Sequence, residues 1–599
     1  MNRVSSFHAA AFLLFTFAQP FTAFPVPPDD ILDEDIDFEE ISADIPPGFD
    51  IRTATEDEIR RLPFFSPADA SRIAVYRDSL KQSDRIEDHI EDIPGLSSIQ
   101  QFLLEQGSDV LRNQPAGRIT GWMRTGARYR PSENDKPGSY WCRAGFTNEG
   151  RFGMAVLVEH DPGEPRALDF ISMNTSFTLG SSGCTVLAGD FRPGYGEGLL
   201  FSRHTFRYHD GVRILREETD NPANTSFEET LFLRGIFLKA RRGVFVSELW
   251  TSIRNLDATL DQSGRAVSIN RSGYHSTAGG IGNLNERISA AHVALDTGRG
   301  DVLSVTGAVS EYDPGLARSP GERFFENPES RIFRHLSVSG RHSDARKTLF
   351  FEHSRMEGGE YATAGGVAVR SPDLEVTTQF REYSRRWWAV RSGGFSAFGE
   401  QSNERGVYSA LEAKLPSAIR LAASVDIART LGRTFTITMP ESRCQTVSSL
   451  RKQFGAALFG EFSARSTQDS GSGPGRWSAR TLWERGSQRG SPWRLRAAAA
   501  WSQSAEKGGP VTEIGVSRLR KPGRLDCTVC LFRIPSYAAR YYRFERDIPG
   551  RGAALPVWGN GASVSLVVRL KHLSGRYQWV HSNFMGNRRE LTIQGDYKF

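Results

Sequence analysis

Nothing in the chain approaches the run of about 20 apolar residues that a membrane-crossing helix needs; the longest candidate, Ala9–Ala18 (AAAFLLFTFA), falls well short. Any membrane association must therefore come from strands or from a partner. Cysteine is scarce, with five residues in 599 (Cys142, Cys184, Cys444, Cys527, Cys530), enough for two disulfides and one leftover thiol whose pairing spacing alone does not fix. No His/Cys grouping has zinc spacing. Cys527-Thr-Val-Cys530 has the separation of a redox dithiol but lacks the strand-then-helix surroundings of one, so it reads as a local clip or as free thiols. The twelve histidines are scattered, and none falls in a G-x-S-x-G elbow or an H-E-x-x-H helix. His275, beside Ser272 and Ser276, reads as a polar loop or lumen residue. No catalysis and no cofactor are expected.

The N-terminus carries a secretory signal: Met1-Asn2-Arg3, the short apolar run, then Gln19-Pro20. It places residues 1–23 in a cleaved leader with no cysteine near the exit, which argues against a lipid anchor. Residues 29–50 contain ten acidic side chains and no basic one, with prolines at 25, 27, 28, 46 and 47, so residues 24–50 read as an extended acidic linker. Asp33-x-Asp35-x-Asp37 lacks the glycine of a calcium loop, Phe38 standing in its place. Charge is divided along the chain. Residues 1–112 hold nine Lys/Arg against 22 Asp/Glu, and the remainder 66 against 48, an acidic head on a basic body.

Residues 51–112 are punctuated as helices. Thr55 with Glu58 makes a capping box, and Ser66-Pro67 followed by Asp69 makes a second start. Apolar residues from Ile73 through Leu103 recur at three- and four-residue spacing, giving four or five short helices with turns at Leu62-Pro63 and Ile93-Pro94-Gly95. From about Arg118 the period becomes two and stays so. In RELTIQGDYKF, Leu591, Ile593, Tyr597 and Phe599 share one face, with Glu590, Thr592, Gln594, Asp596 and Lys598 on the other. The pattern recurs around Val564–Leu570, Trp493–Trp501 and Ile419–Ile427, with arginines on one side and aromatics such as Trp493, Trp501, Tyr577 and Trp579 near strand limits. The expectation is a mainly β fold: a large antiparallel transmembrane β-barrel of about 22 strands over residues 113–599, preceded by a small all-α domain.

The stretches DIRTATEDEIRRLPFFSPADASRIAVYR and RIEDHIEDIPGLSSIQQFLLE make residues 51–112 resemble the tandem helix-hairpin-helix module of ComEA-type competence proteins. In that family glycine hairpins admit DNA phosphates to the backbone. Phe64 and Ser66 occupy the glycine positions of the first hairpin, and Gly95 and Ser97 those of the second; Arg60, Arg61 and Arg72 flank the first. With eight Lys/Arg against twelve Asp/Glu in this segment, a plug or docking role is the expectation and DNA contact the alternative. The whole chain resembles bacterial outer-membrane β-barrel proteins with this degenerate module, on LPFFSP (62–67), VLAGDFRPGYGEGLLFSR (186–203), LRGIFLKA (233–240), SGYHST (272–277) and NERGVYSALE (403–412).

The barrel motif residues are Gly189, Asp190, Gly194, Gly196 and Gly198, then Asn403, Glu404, Arg405 and Gly406. The glycine series lacks the spacing of a nucleotide loop and reads as a strand bend or inward fold, with Asp190, Arg192 and Glu197 as a charged lumen network. Asn403–Gly406 reads as a turn entering a strand, its ion pair structural. The resemblance carries no activity with it; the excess of 66 Lys/Arg over 48 Asp/Glu after residue 112 gives the expectation of an outer-membrane channel or scaffold with a cationic lumen favouring anions, its head periplasmic if the strand number is even. Its implied partners are outer-membrane lipid and, through Phe599, the assembly machinery; an envelope DNA-binding role is the alternative.

Overall fold

Side chains alternate between the two faces of a strand, so the polarity of each face says what it meets. In Lys347–Met356 the buried positions are Thr348, Phe350, Glu352, Ser354 and Met356, while Leu349 and Phe351 are 46% and 47% exposed. In Asp301–Asp313, Ser304, Thr306 and Ser310 are buried and Leu303, Val305 and Val309 exposed. A water-soluble sandwich would have it the other way round. Here apolar side chains cover the outside and hydroxyls, amides and charges line the inside, the arrangement a lipid-facing wall requires.

The computed structural model describes most of residues 51–598. Outside it lie 1–50, most of 81–99, 105–118, the connections 132–137, 162–167, 204–221, 271–281, 318–328, 433–439 and 486–492, a number of shorter stretches, and Phe599. The wall is a single sheet of 24 antiparallel strands, against the 22 expected, beginning at Ile119–Tyr129 and ending at Gly586–Lys598. Each strand pairs with the wall strands before and after it in the chain, and the first and last pair with each other, Trp122 opposite Lys598 and Tyr129 opposite Leu591. Closure satisfies every ladder and removes the edges so large a sheet would otherwise present.

Because the strand number is even, the chain enters and leaves the barrel at one end. Connections at that terminal end are short, such as 149–151, 243–244, 344–346 and 521–522. Those at the opposite, loop end include 192–232, 257–283, 314–331, 384–403 and 535–558. Short turns on one side and long loops on the other is the asymmetry of outer-membrane barrels. Two small hairpins, Ala258–Leu260 with Ala266–Ile269 and Tyr541–Arg546 with Gly552–Val557, belong to loop-end connections and not to the wall.

The head is described in part. Its helix Pro67–Ser79 begins at the expected proline. The Arg77 guanidinium donates to the Ala54 carbonyl at 2.6 Å and the Ile51 carbonyl at 3.3 Å, fastening that helix to the preceding segment. Ile51, Ile59, Ile73, Ile90 and Leu104 are buried. The other expected helices and both hairpin turns fall mostly outside the described residues.

All five cysteines are free. Cys527 and Cys530 lie three residues apart in one strand, Gly523–Ile534, so they face opposite sides and no clip forms between them.

Gly189 shows how tightly the wall is packed where the motif begins. Its φ is +106°, and an added Cβ would stand 2.2 Å from the Met173 carbonyl oxygen on the neighbouring strand. Gly189→Ala must distort either that φ or the pairing, and is expected to lower stability by about 2–3 kcal/mol, read as a lower urea midpoint in detergent micelles.

Candidate functional site

The chain itself folds into the lumen. After Cys184–Phe191, residues 192–203 turn inward instead of continuing outward as a loop. Gly196 and Gly198 take φ of +55° and +73°, and Gly198 N donates to the Tyr195 carbonyl at 2.9 Å, closing a tight turn at its tip. The Tyr195 ring stacks on His292 with centroids 3.8 Å apart, and its hydroxyl donates to the Glu248 carboxylate. A Cβ on Gly196 would stand 2.8 Å from Ser339 Cβ and 2.9 Å from Glu352 Oε2, so the turn rests its bare backbone on the wall.

Glu352 is what holds that turn. One carboxylate oxygen accepts from the backbone N–H of Glu197 at 2.7 Å and of Leu199 at 3.1 Å, while the other accepts from Ser337 and Ser354 hydroxyls at 2.7 and 3.2 Å. A buried carboxylate is costly unless hydrogen-bonded, and here four donors from the segment and the wall meet it. Glu197 itself lies 3.4 Å from the Arg341 guanidinium.

Residues 384–403, between strands Leu374–Tyr383 and Glu404–Leu415, form a second inward segment. Trp388 packs at 4.7 Å from Phe333 and 5.4 Å from Tyr312. Arg391 bonds Glu286 at 2.5 Å, and Glu286 also accepts from the Tyr312 hydroxyl at 2.9 Å. The Tyr383 hydroxyl donates to the Phe395 carbonyl at 2.6 Å. The two segments meet: Ser202 N donates to the Arg391 carbonyl and Gly393 N to the Gly198 carbonyl, each at 2.9 Å.

Beneath the second segment sits a buried ionic triad. Arg381 pairs with Glu404 and, through two parallel bonds of 2.9 and 3.0 Å, with Asp426. Its guanidinium also lies 4.4 Å from the Phe395 ring centroid. Gly406 makes room for it, since a Cβ there would come within 2.7 Å of Arg381 Cζ. Glu404 further accepts from Ser396 at 2.5 Å and from Ala397 N at 3.1 Å, so one carboxylate ties triad to segment.

The hairpin Tyr541–Val557 intrudes as well. Arg543 lies 3.6 Å from Glu513 on the wall, and Asp547, which follows the hairpin's first strand, bonds Arg576 at 2.8 Å. At the terminal end, Arg494 pairs with Glu484 and donates to Gln101 of the head at 2.9 Å. The bond joins the wall to the head beside the connection 486–492.

Several sequence expectations change in this light. Asp190, Arg192 and Glu197 are all buried, and each has a partner elsewhere: Asp190 binds Arg234 at 2.6 Å, Arg192 donates to the Ser202 carbonyl at 3.2 Å, and Glu197 takes Arg341. Glu404 and Arg405 do not pair with each other, because neighbours in a strand face opposite ways. Glu404 points inward to Arg381 and Arg405 outward to Glu382 at 2.8 Å. Asn403 takes φ of +55° and accepts from Gly432 N at 2.8 Å, so the turn reading of that tetrad stands. Gly194, Gly196 and Gly198 lie in an inward fold, as one of the two sequence readings had it.

Arg60, Arg61, Phe64, Ser66, Gly95 and Ser97 lie outside the described residues, as does His275; Arg72 lies in the helix Pro67–Ser79. The DNA alternative thus has no described geometry behind it. Among the described residues no cluster of three or more His, Cys, Asp or Glu could hold a metal ion. Sequence reasoning passed over Glu352, Glu286, Arg381 and Arg391, and placed Asp426 on a polar strand face without a partner. The available signal was a charged residue on the inward phase of a strand, as in KTLFFEHSRM.

No protein-family model matches the chain, and no curated protein does. Among solved structures, the P pilus usher (PapC) translocation pore aligns over 80% of this chain and 99% of its own, at 11% identity and a TM-score of 0.35. A ferric enterobactin receptor mutant (PfeA) from Pseudomonas aeruginosa, in complex with enterobactin, covers 81% and 82% at 8% identity and 0.39. The copper transporter OprC covers 82% and 81% at 9% identity and 0.37. The chain is similar to these outer-membrane barrels in architecture alone.

Proposed function

We propose that this protein is an outer-membrane channel held shut by its own chain, which passes a polar solute when the inward segments 192–203 and 384–403 are displaced. The observation that carries this reading is the Glu352 carboxylate receiving two backbone N–H groups from a loop that has folded into the lumen to reach it. A barrel needing only to stand in the membrane has no use for a buried acid with that duty. The Arg494–Gln101 bond supports a place for residues 51–104 at the terminal mouth, which is periplasmic if the barrel is oriented as its loop lengths indicate. There the head would act as a docking element or second closure.

The test is membrane fractionation of the expressed chain, a gel with and without boiling, and conductance in a planar bilayer. The expected result is an outer-membrane protein whose unboiled band runs anomalously and whose conductance is mostly in a closed state. A water-soluble monomer, or a wide pore permanently open, rejects the reading.

A further inference from the structure

On the outer face of the wall, the first outward charge along a strand marks where the apolar band ends. Strand Ile419–Thr430 turns Ile419, Leu421, Ala423, Val425 and Ile427 outward before it reaches Arg429, exposed beside its loop end. Arg405 and Glu382 are likewise the first outward charges met from the terminal end on Glu404–Leu415 and Leu374–Tyr383. One outward step below them, Phe380, Val407 and Ile427 stand opposite one another across the three strands and are 42%, 45% and 52% exposed. A polar rim thus adjoins an apolar row on one continuous face.

That rim is short of acids. Arg405 and Arg429 lie directly opposite each other, and like charges so placed weaken a strand pairing. Glu382 draws Arg405 to its other side at 2.8 and 2.9 Å, but Arg429 has only Ser442 across from it there. From Ile332–Ser343 round to Ile419–Thr430, the outward and rim positions described at the loop end hold Arg334, Arg355, Arg385, Arg386, Arg405 and Arg429 against Glu357, Glu360 and Glu382. Each acid is engaged: Glu357 bonds Arg334 at 2.7 Å, Glu360 accepts from Arg386 N at 3.2 Å, and Glu382 takes Arg405 and the Tyr361 hydroxyl. Arg355, Arg385 and Arg429 make no hydrogen bond or ion pair among the described residues. A Cβ on Gly432 would stand 2.5 Å from Arg385 Nε, which places that cation against the turn following the Arg429 strand.

A phosphate answers this arrangement. Side chains directly opposite in an antiparallel pair start about 5 Å apart at Cβ, so the two guanidinium groups can close on one phosphate from either side. A bare inorganic ion makes no use of the apolar row beneath, whereas acyl chains hanging from the same headgroup would lie along it. Basic patches at a bilayer boundary take anionic headgroups in this way. We infer that this rim is a docking site for a phosphate-bearing lipid of the leaflet at the loop end, its head at Arg405 and Arg429 and its chains against Phe380, Val407 and Ile427. The site goes beyond the channel reading and holds whether or not the barrel conducts.

Native mass spectrometry of the full-length protein released from detergent micelles tests it, with phosphatidic acid and phosphatidylcholine of matched chains as probes and inorganic phosphate as competitor. Saturable retention of phosphatidic acid is expected, about tenfold tighter than that of phosphatidylcholine and weakened about tenfold by Arg429→Gln, the loss of one charged hydrogen-bond donor. The control is Arg533→Gln, an exposed arginine near the loop end of Gly523–Ile534, six wall strands further round, which should change nothing. Equal retention of the two lipids overturns headgroup recognition, and equal losses in the two variants reduce it to general surface charge. Displacement by inorganic phosphate at the concentration of the lipid would make the rim an anion site and overturn the lipid. If Arg429→Gln loses its heat-shifted gel band and so fails to fold, the lipid comparison on the unaltered protein decides alone.

Discussion

Arg381→Met is expected to cost the barrel about 3–5 kcal/mol. The guanidinium is fully buried and serves two carboxylates, Glu404 and Asp426, that are themselves 0% and 3% exposed. Removing it leaves two acids facing each other in the lumen wall with no cation between them, a cost far beyond the lost attraction. Urea unfolding in micelles, followed by tryptophan fluorescence, reads the effect. The matched control is Arg405→Met, one residue from Glu404 on the opposite face and 58% exposed, which should leave the midpoint within error. Equal losses at the two positions would show that the triad does not carry the stability assigned to it.

The second large effect is functional. Glu352→Ala is expected to release the segment 192–203 and raise conductance. Two backbone N–H groups, of Glu197 and Leu199, lose their acceptor inside the closed lumen but regain water once the segment lifts away. Leaving buried donors unsatisfied costs about 1–3 kcal/mol each, so a shift of about 2 kcal/mol toward the released state changes the closed–open ratio about thirtyfold. Bilayer recordings should show long open dwell times in the variant and rare ones in the parent. A variant that folds, keeps its heat-shifted band and stays closed would mean that Tyr195 on His292 and the contacts between the two segments suffice without the carboxylate.

The architecture was legible in the chain and the closure was not, for a physical reason. Strand faces are local: Ser563 and Ser565 read as polar-face residues beside Val564 and Leu566 and are buried in the lumen, and Arg494 between Trp493 and Leu495 points inward as its phase requires. The count of 22 against 24 reflects only an averaged connection length. Partners, by contrast, are nonlocal. Asp190 finds Arg234 across a strand pairing and Glu352 finds amides 155 and 153 positions away, separations that no spacing rule anticipates. The glycines were conspicuous because backbone conformation is local, so Gly196 and Gly198 could be read as a bend or an inward fold, while the acid that receives the bend could be read only as inward-facing and not as their partner.

The pairing of Ile119–Tyr129 with Gly586–Lys598 has a kinetic consequence. All other wall pairings join strands that follow one another, so hairpins can form as the polypeptide is delivered, each closing a modest loop. The seam alone waits for a residue some 470 positions downstream, and loop-closure entropy makes it the slow step. Until it zips, the nascent sheet exposes two unpaired margins to any other strand nearby. Clipping the last strand would therefore leave both margins unpaired and hold the sheet at that vulnerable intermediate.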